Sequence, residues 1–447
     1  MIPKFFQGRF MYWLDLSPLD ANIPAYVHEG RAIDAQELDL TPAQKLELEA
    51  RLEENARPEN LKYKYDYYRD NCATRVRDMI DAVIGGRLKA ASQRPGRLTY
   101  RGHTLRLTES FPAEEVTLNL VMGDYIDQPI TVWDEGFIPM ELQKTLREVT
   151  VLSDDGTPRP LVKSERRITP EPLFADPPAS PPVWWPYSLG LGVVLGGVMA
   201  GLGYLASRKR AERGLDLRAV ARVGFGGLLS LFGFVIGFLG IFFLAAWAMT
   251  DHKVGYHNEN TMLCAPWAVA FTGSGLRIML GDRRRPWLAW GYRAAALALA
   301  IYAARATTTS LGVAAFLLLA AASVGLSTNI RIEDKLVRAA LGLALFATIV
   351  KILPWFDQKN GFFILFFLPF WAGTAFGIFK LRVRSDADEK AEAEKKEAAT
   401  RAARAEKAEK EEEGDGAKAP SKKKKKKRPA ADAPSLPPSE NPRIEEG

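Results

Sequence analysis

The chain has 447 residues, 47% of them hydrophobic, and a formal net charge of +7, which is room for two or three domains. Its two cysteines, Cys72 and Cys264, exclude a disulfide framework and a cysteine-cluster metal site. The basic excess sits in short loops between apolar runs, which points to membrane topology and away from nucleic acid.

Residues 1–165 read as a soluble α+β domain. The stretch "TPAQKLELEARLEENARPEN" predicts a helix with Thr41 as N-cap, Pro42 at its first position and a modest apolar face of Leu46, Leu48 and Leu52. A second helix follows Cys72, because Val76, Met79, Ile80 and Val83 recur at helical spacing and Asp70 or Asn71 is a natural cap. Residues 98–150 are expected to be strand-rich, since "LTYRGHTLRLTES" and "EVTLNLVMG" alternate. A short helix and a strand close the domain in "FIPMELQKTLREVTVL".

Residues 166–182 are a proline-rich linker, expected to be extended and semi-rigid. Trp184, Trp185 and Tyr187 behind it suit a headgroup layer. Residues 183–380 form an all-α membrane domain of about seven spans, from apolar runs at about 183–206, 225–249, 263–280, 287–304, 311–328, 339–356 and 361–379. The third and fourth runs are the weakest, so six spans is the alternative. Lys and Arg crowd loops 207–222, 281–286 and 329–338 and the start of the tail, and are sparse in the alternate loops. The positive-inside rule then puts the N-terminal domain and loops 250–262 and 357–360 outside, and the tail in the cytoplasm. Residues 381–447 are a Lys/Glu-rich arm, read as disordered or transiently helical. Its "KKKKKKR" at Lys422–Arg428 is a solubilising tail or a contact for anionic headgroups.

The chemistry gathers at two places. Cys72 falls in the first turn of its helix, where unpaired backbone N–H groups and the helix dipole favour a thiolate, a good acyl-accepting nucleophile. On position alone, a small residue packing the helix is an equally good reading. The loop "TDHKVGYHNENT" offers His252, His257, Asn258, Glu259 and Asn260 on the same side of the membrane. These groups could orient a headgroup, an acceptor amine or an oxyanion, or simply form a hydrophilic hairpin loop. Asp251, His252 and His257 match no closed metal site, and no cofactor is implied. His103, on an expected strand, is a candidate base for Cys72 in the order of unpermuted thiol peptidases, with an exposed strand histidine as the alternative. His252 is the other candidate base.

The stretch "YKYDYYRDNCATRVRDMID" resembles the signature of the Lnb N-terminal periplasmic domain family, through Tyr63, Tyr65, Asp66, Asn71, Cys72, Thr74, Arg75, Arg77 and Asp78. Two further blocks look similar to that family. One runs through Gly123, Asp127, Trp133, Phe137, Pro139 and Leu142, the other through His252, Asn258, Asn260 and Pro266. The resemblance implies a permuted papain-like thiol fold and the activity of a bacterial lipoprotein N-acyltransferase in the inner membrane. An acyl chain would pass from a phospholipid through a Cys72 thioester to a lipoprotein N-terminus. Asn71, Arg75, Asn258 and Asn260 are then the candidate substrate-binding residues, with anchoring of the helix as the alternative for Arg75. A cysteine hydrolase and a non-catalytic membrane protein are the rival readings. The family's upstream Gly-His block has no counterpart here, and "MIPKFFQGRFMYWLDL" has no signal-peptide features. Both facts predict that the natural chain starts further upstream.

Overall fold

The computed structural model describes residues 8–9, 11–153, 155–170, 175–208, 216–280 and 330–415. They fall into two units, Met1–Ser385 and Asp386–Gly447.

Among the described residues, the N-terminal part is mostly helical, with three small antiparallel strand pairs. Met11–Trp13 pairs with Lys62–Lys64, Asp34–Leu38 with Val162–Arg167, and Thr150–Leu152 with Pro158–Pro160. The permuted papain-like layout is not confirmed by this arrangement. Helix Pro42–Ala56 starts as expected, with Thr41 and Gln44 in a reciprocal capping box. Its apolar face is thinner than expected, however. Leu46 is 67% exposed, and only Leu48 reaches a core.

The expected strands across 98–150 are helices, Tyr100–Leu107 and Pro112–Val121. The reason is that the buried helical face is polar. Tyr100, Arg101, His103 and Thr104 are buried in the first helix, and Glu115 and Asn119, four residues apart, in the second. A 3.6-residue period built from polar groups leaves no hydrophobic signal, so only an accidental alternation shows. Local signals do mark the starts: Thr99 caps Gly102 N–H at 3.2 Å, and Pro112 opens the second helix.

Two apolar cores hold this part. Ile80, Val83 and Leu88 pack with Leu142, Leu146 and Leu161. Tyr68, Tyr100, Ile126 and Phe137 form the second core, with edge-on ring contacts such as Tyr100–Phe137 at 5.3 Å. The proline-rich stretch is tied back to the domain, because the Pro178 and Ala179 carbonyls accept from Arg106 and Arg97.

Among the described residues, three helices are long and apolar enough to cross a bilayer: Trp185–Ala206, Leu217–Ala246 and Gly361–Leu381. Glycines let them pack backbone to backbone, the small-residue solution for helices in lipid. A Cβ on Gly196 would lie 2.3 Å from Pro369 O, and one on Gly203 2.2 Å from Gly377 Cα. The apolar run at 263–280 is not one helix. It is Asn260–Leu263, a 3-10 turn Pro266–Val269 and helix Ala270–Leu280. Pro266 and the left-handed Ala265, at φ 30°, interrupt it. The pieces pack against Gly233, Gly237 and Gly240 of the preceding helix. Helix Ile330–Val350 ends before Pro354 and has a shorter apolar stretch, Val337–Val350. The runs at 287–304 and 311–328 lie outside the described residues.

In the second unit, the Ala/Glu/Lys sequence of residues 386–415 is helical. These residues are strong helix formers, and Arg401 pairs with Glu397 at 2.9 Å in the i, i+4 register. Lys422–Arg428 lie outside the described residues.

Candidate functional site

The sequence around Cys72 builds a rigid ledge. Asp66 closes a turn by accepting the Tyr68 and Arg69 backbone N–H groups at 3.0 Å. Asn71 then caps helix Cys72–Val83. Its Oδ1 accepts from the Ala73 and Thr74 N–H groups at 2.9 Å, and Thr74 Oγ1 accepts the Asn71 N–H at 2.8 Å. The Asn71 amide nitrogen donates to Tyr67 O and Phe137 O, both at 2.9 Å. Every polar group of this buried side chain is used by the protein, so Asn71 positions the helix and has no donor left for a substrate. Arg75 grips Asp70 with two hydrogen bonds, at 2.7 and 3.1 Å, and its guanidinium lies 3.7 Å from the Tyr63 ring centroid. It anchors the turn that carries Cys72. Arg77 does the same further along, donating to Trp133 O at 2.8 Å.

These contacts leave Cys72 exposed and its thiol unbonded, whereas Cys264 is free and buried. Tyr63 and Tyr65 lie near enough to Cys72 for its charge to act on both, and Tyr12 joins them in one ring cluster. Tyr12 stacks on Tyr65 at 4.3 Å, and Tyr63 tilts 6.5 Å from Tyr65. Burial, with the Cys72 charge adding to it, pushes the Tyr65 hydroxyl up to about 12. Burial also raises Tyr63. Both phenols therefore stay protonated at neutral pH and can donate hydrogen bonds. The motif contained Tyr63 and Tyr65, but nothing in their spacing said that Tyr12 would complete the cluster.

His103 is elsewhere. It is 0% exposed, with Nε2 at 2.8 Å from Glu135 Oε1 and Nδ1 accepting from Arg106 Nε at 3.0 Å. Arginine can only donate, so Nδ1 accepts and Nε2–H donates to the carboxylate. Neither nitrogen remains to take a proton from a thiol. Burial pushes the Glu135 carboxyl up, but hydrogen bonds from His103 and from the Arg97 and Leu98 N–H groups outweigh it and leave it below its usual range. His103 serves this internal network on a helix, where an exposed strand position or a role as base was expected.

The outer loop does touch the soluble part. Asn258 donates to Leu120 O and Val121 O at 2.9 Å, and Asn260 donates to Leu120 O at 2.9 Å. These are the terminal carbonyls of helix Pro112–Val121, which a helix leaves unpaired. Gln358 extends the cap by donating to Met122 O at 2.8 Å, and Asn360 braces Asn260 at 2.9 Å. Glu259 pairs with the buried Lys351 and accepts the Asp357 and Gln358 N–H groups. Gly123 permits the approach, since a Cβ there would sit 1.9 Å from Tyr256 O. Asn258 and Asn260 thus dock the loop, spending their amide N–H donors on backbone carbonyls and their oxygens on Asn260 N–H, Gln358 and Asn360. Asn258→Leu with Asn260→Leu strands several buried carbonyls, at about 1–3 kcal/mol each. The expected result is faster limited proteolysis within Pro112–Gly123 while the three apolar helices stay protected.

His252 joins the Cys72 face indirectly. Arg9 binds Asp251 at 2.8 Å, Gly8 lies against the His252 backbone and ring, and the following strand Met11–Trp13 pairs beside Tyr63. The structure does not join either histidine to Cys72 by a hydrogen bond. His257 adopts φ 50° and lies 4.0 Å from Asp124. Among the described residues, no three His, Cys, Asp or Glu side chains gather as metal ligands.

Residues 1–110 match the family described as the Lnb N-terminal periplasmic domain. This segment belongs to that family. The match includes the whole Asp66–Asp78 ledge, whereas the Gly123–Leu142 and His252–Pro266 blocks lie beyond it. No curated protein and no solved structure matches the chain. Together with the three helices that are long and apolar enough to cross a bilayer among the described residues, this match makes the chain a membrane protein with a periplasmic N-terminus.

Proposed function

We propose that this protein is a membrane-bound thiol acyltransferase of the bacterial inner membrane, with Cys72 as its nucleophile. The Cys72 sulfur attacks the ester carbonyl of a phospholipid, and the lysophospholipid alcohol leaves with a proton. The resulting thioester is then attacked by the N-terminal amine of a lipoprotein, which gives an amide and returns the thiol. Tyr63 and Tyr65 supply hydrogen-bond donors for the tetrahedral oxyanion. His252 carries the proton between steps once the N-terminal segment and outer loop close on the substrate. The membrane half crosses seven times, an odd number that carries the chain from the outer N-terminal domain to a cytoplasmic Lys/Glu-rich tail, a topology supported by loop charge.

The observation that carries this reading is the free, exposed sulfur at a helix N-terminus, in a domain whose helix end is held by the loops between membrane helices. A thiol that faces water beside a bilayer has access to both lipid and a soluble amine. The test is to incubate the full-length protein in bilayers with acyl-labelled phospholipid, and to read the Cys72 peptide by mass spectrometry. A thioester that passes to a lipopeptide amine supports acyl transfer. Release of label only as free fatty acid makes the protein a hydrolase. Absence of any adduct on Cys72 removes the reading.

A further inference from the structure

A groove of 520 Å³ opens between helix Trp185–Ala206 and residues 351–369. Its walls are apolar: Leu189 from helix Trp185–Ala206, Ile352 and Phe356 from the loop, and Ile364, Leu365 and Leu368 from the last candidate span. Its polar lining is Lys351, Gln358, Lys359 and Asn360. Gln358 and Asn360 are the docking amides described above, so the groove begins at the seam that carries the soluble domain. Trp355, between the lining residues Pro354 and Phe356, and Tyr187, two residues before Leu189, are exposed at 78% and 71%, and such aromatic side chains suit a headgroup layer. Lys351 is fully covered and paired with Glu259, which leaves the exposed Lys359 as the cation at the rim. Its backbone N–H and charge also bear on the buried Asp127.

A trough that is apolar along its length, cationic at its rim and set between two membrane helices matches one ligand shape. We propose that this groove holds one acyl chain of a membrane phospholipid, with the headgroup phosphate at Lys359. The volume falls within the roughly 300–1,000 Å³ of small-molecule sites. Apolar walls favour a hydrocarbon chain, and Lys359 complements a phosphate charge. That this lipid is the acyl donor rests on the acyl-transfer reading; the occupancy of the groove does not.

The test uses the full chain in bilayers of phosphatidylethanolamine and phosphatidylglycerol that contain a phospholipid with a diazirine on its acyl chain. After irradiation, labelling concentrates within residues 352–369, and Leu365→Trp, which fills the groove, lowers it about tenfold. Lys359→Glu lowers it as well, without touching the apolar wall. Labelling no stronger there than on the exposed faces around Phe234, Phe238 and Phe346 means boundary lipid only and overturns the proposal. Cross-links from residues 281–329 into the groove overturn it too, since the chain would then fill its own trough. Cys72→Ala leaves the labelling unchanged. If the groove labels but Cys72 never acylates, the acyl-transfer reading fails and the lipid site stands. If Cys72 acylates while the groove stays unlabelled, the lipid site fails alone.

Discussion

Cys72→Ala in the full-length protein is expected to abolish transfer of labelled acyl chains, by on the order of 10⁴-fold or more. The argument is local. Covalent catalysis divides acyl transfer into two displacements at one sulfur, and no neighbouring atom replaces that sulfur when it is removed. Cys264 cannot, because it is buried. Folding should be indifferent, since Cys72 is exposed and makes no hydrogen bond. The cap that starts its helix belongs to Asn71 and Thr74. A substitution at such a surface position changes stability by about 0.5 kcal/mol or less. The measurement pairs a transfer assay with a thermal melt of the same sample. Full activity in Cys72→Ala would remove the sulfur from the chemistry. A collapsed melt would make it a packing residue.

Arg101→Met is expected to produce the largest loss of stability. Arg101 is buried and uses all its donors. Nε lies 2.9 and 3.1 Å from the two Asp127 oxygens. One terminal nitrogen donates to Asn119 O and Oδ1, at 2.9 and 2.7 Å. The other donates to Met122 O and Gly123 O, at 2.9 and 2.8 Å. Removing one partner of such a pair leaves an unpaired buried charge, which costs about 3–5 kcal/mol. A whole domain has only about 5–15 kcal/mol to lose. The damage is also aimed at function, since Asn119–Gly123 is the segment that the outer loops grip.

The pH dependence has a definite sign. Burial already holds the Asp127 carboxyl above its usual range, against the pull of Arg101. In Arg101→Met that pull is gone, so the folded-state pKa rises further above the unfolded one. A raised folded pKa favours folding at low pH, and this contribution is lost as pH rises through it. The deficit of the variant should therefore be smaller in acid and full near neutrality. Denaturant melts of the variant and the parent at two pH values test this. A deficit that is independent of pH would mean that Asp127 is not the group left stranded.

Capping chemistry was legible from local sequence at Thr41, at Asn71 and at the first turn that carries Cys72. The segment 98–121 was not, because its buried face consists of Arg101, His103, Glu115 and Asn119. Polar groups become core residues only when partners arrive from Glu135, Asp127 and the outer loops. The same distance in sequence hid the meaning of Asn258 and Asn260. They look like ligand-binding amides, yet they spend their donors on the carbonyl end of a helix about 140 residues earlier.

The sequence by itself determined the segregation of a polar N-terminal part from long apolar runs, the helix start at Cys72 and the Lnb-like signature around it. All three rest on neighbours within a few residues, or on composition. Only the tertiary structure decided that the thiol faces outward, that His103 is sealed between Arg106 and Glu135, and that buried amides fasten the two halves together. Exposure and hydrogen-bond partners belong to pairs of residues remote in the chain, and no local pattern encodes which pairs will meet.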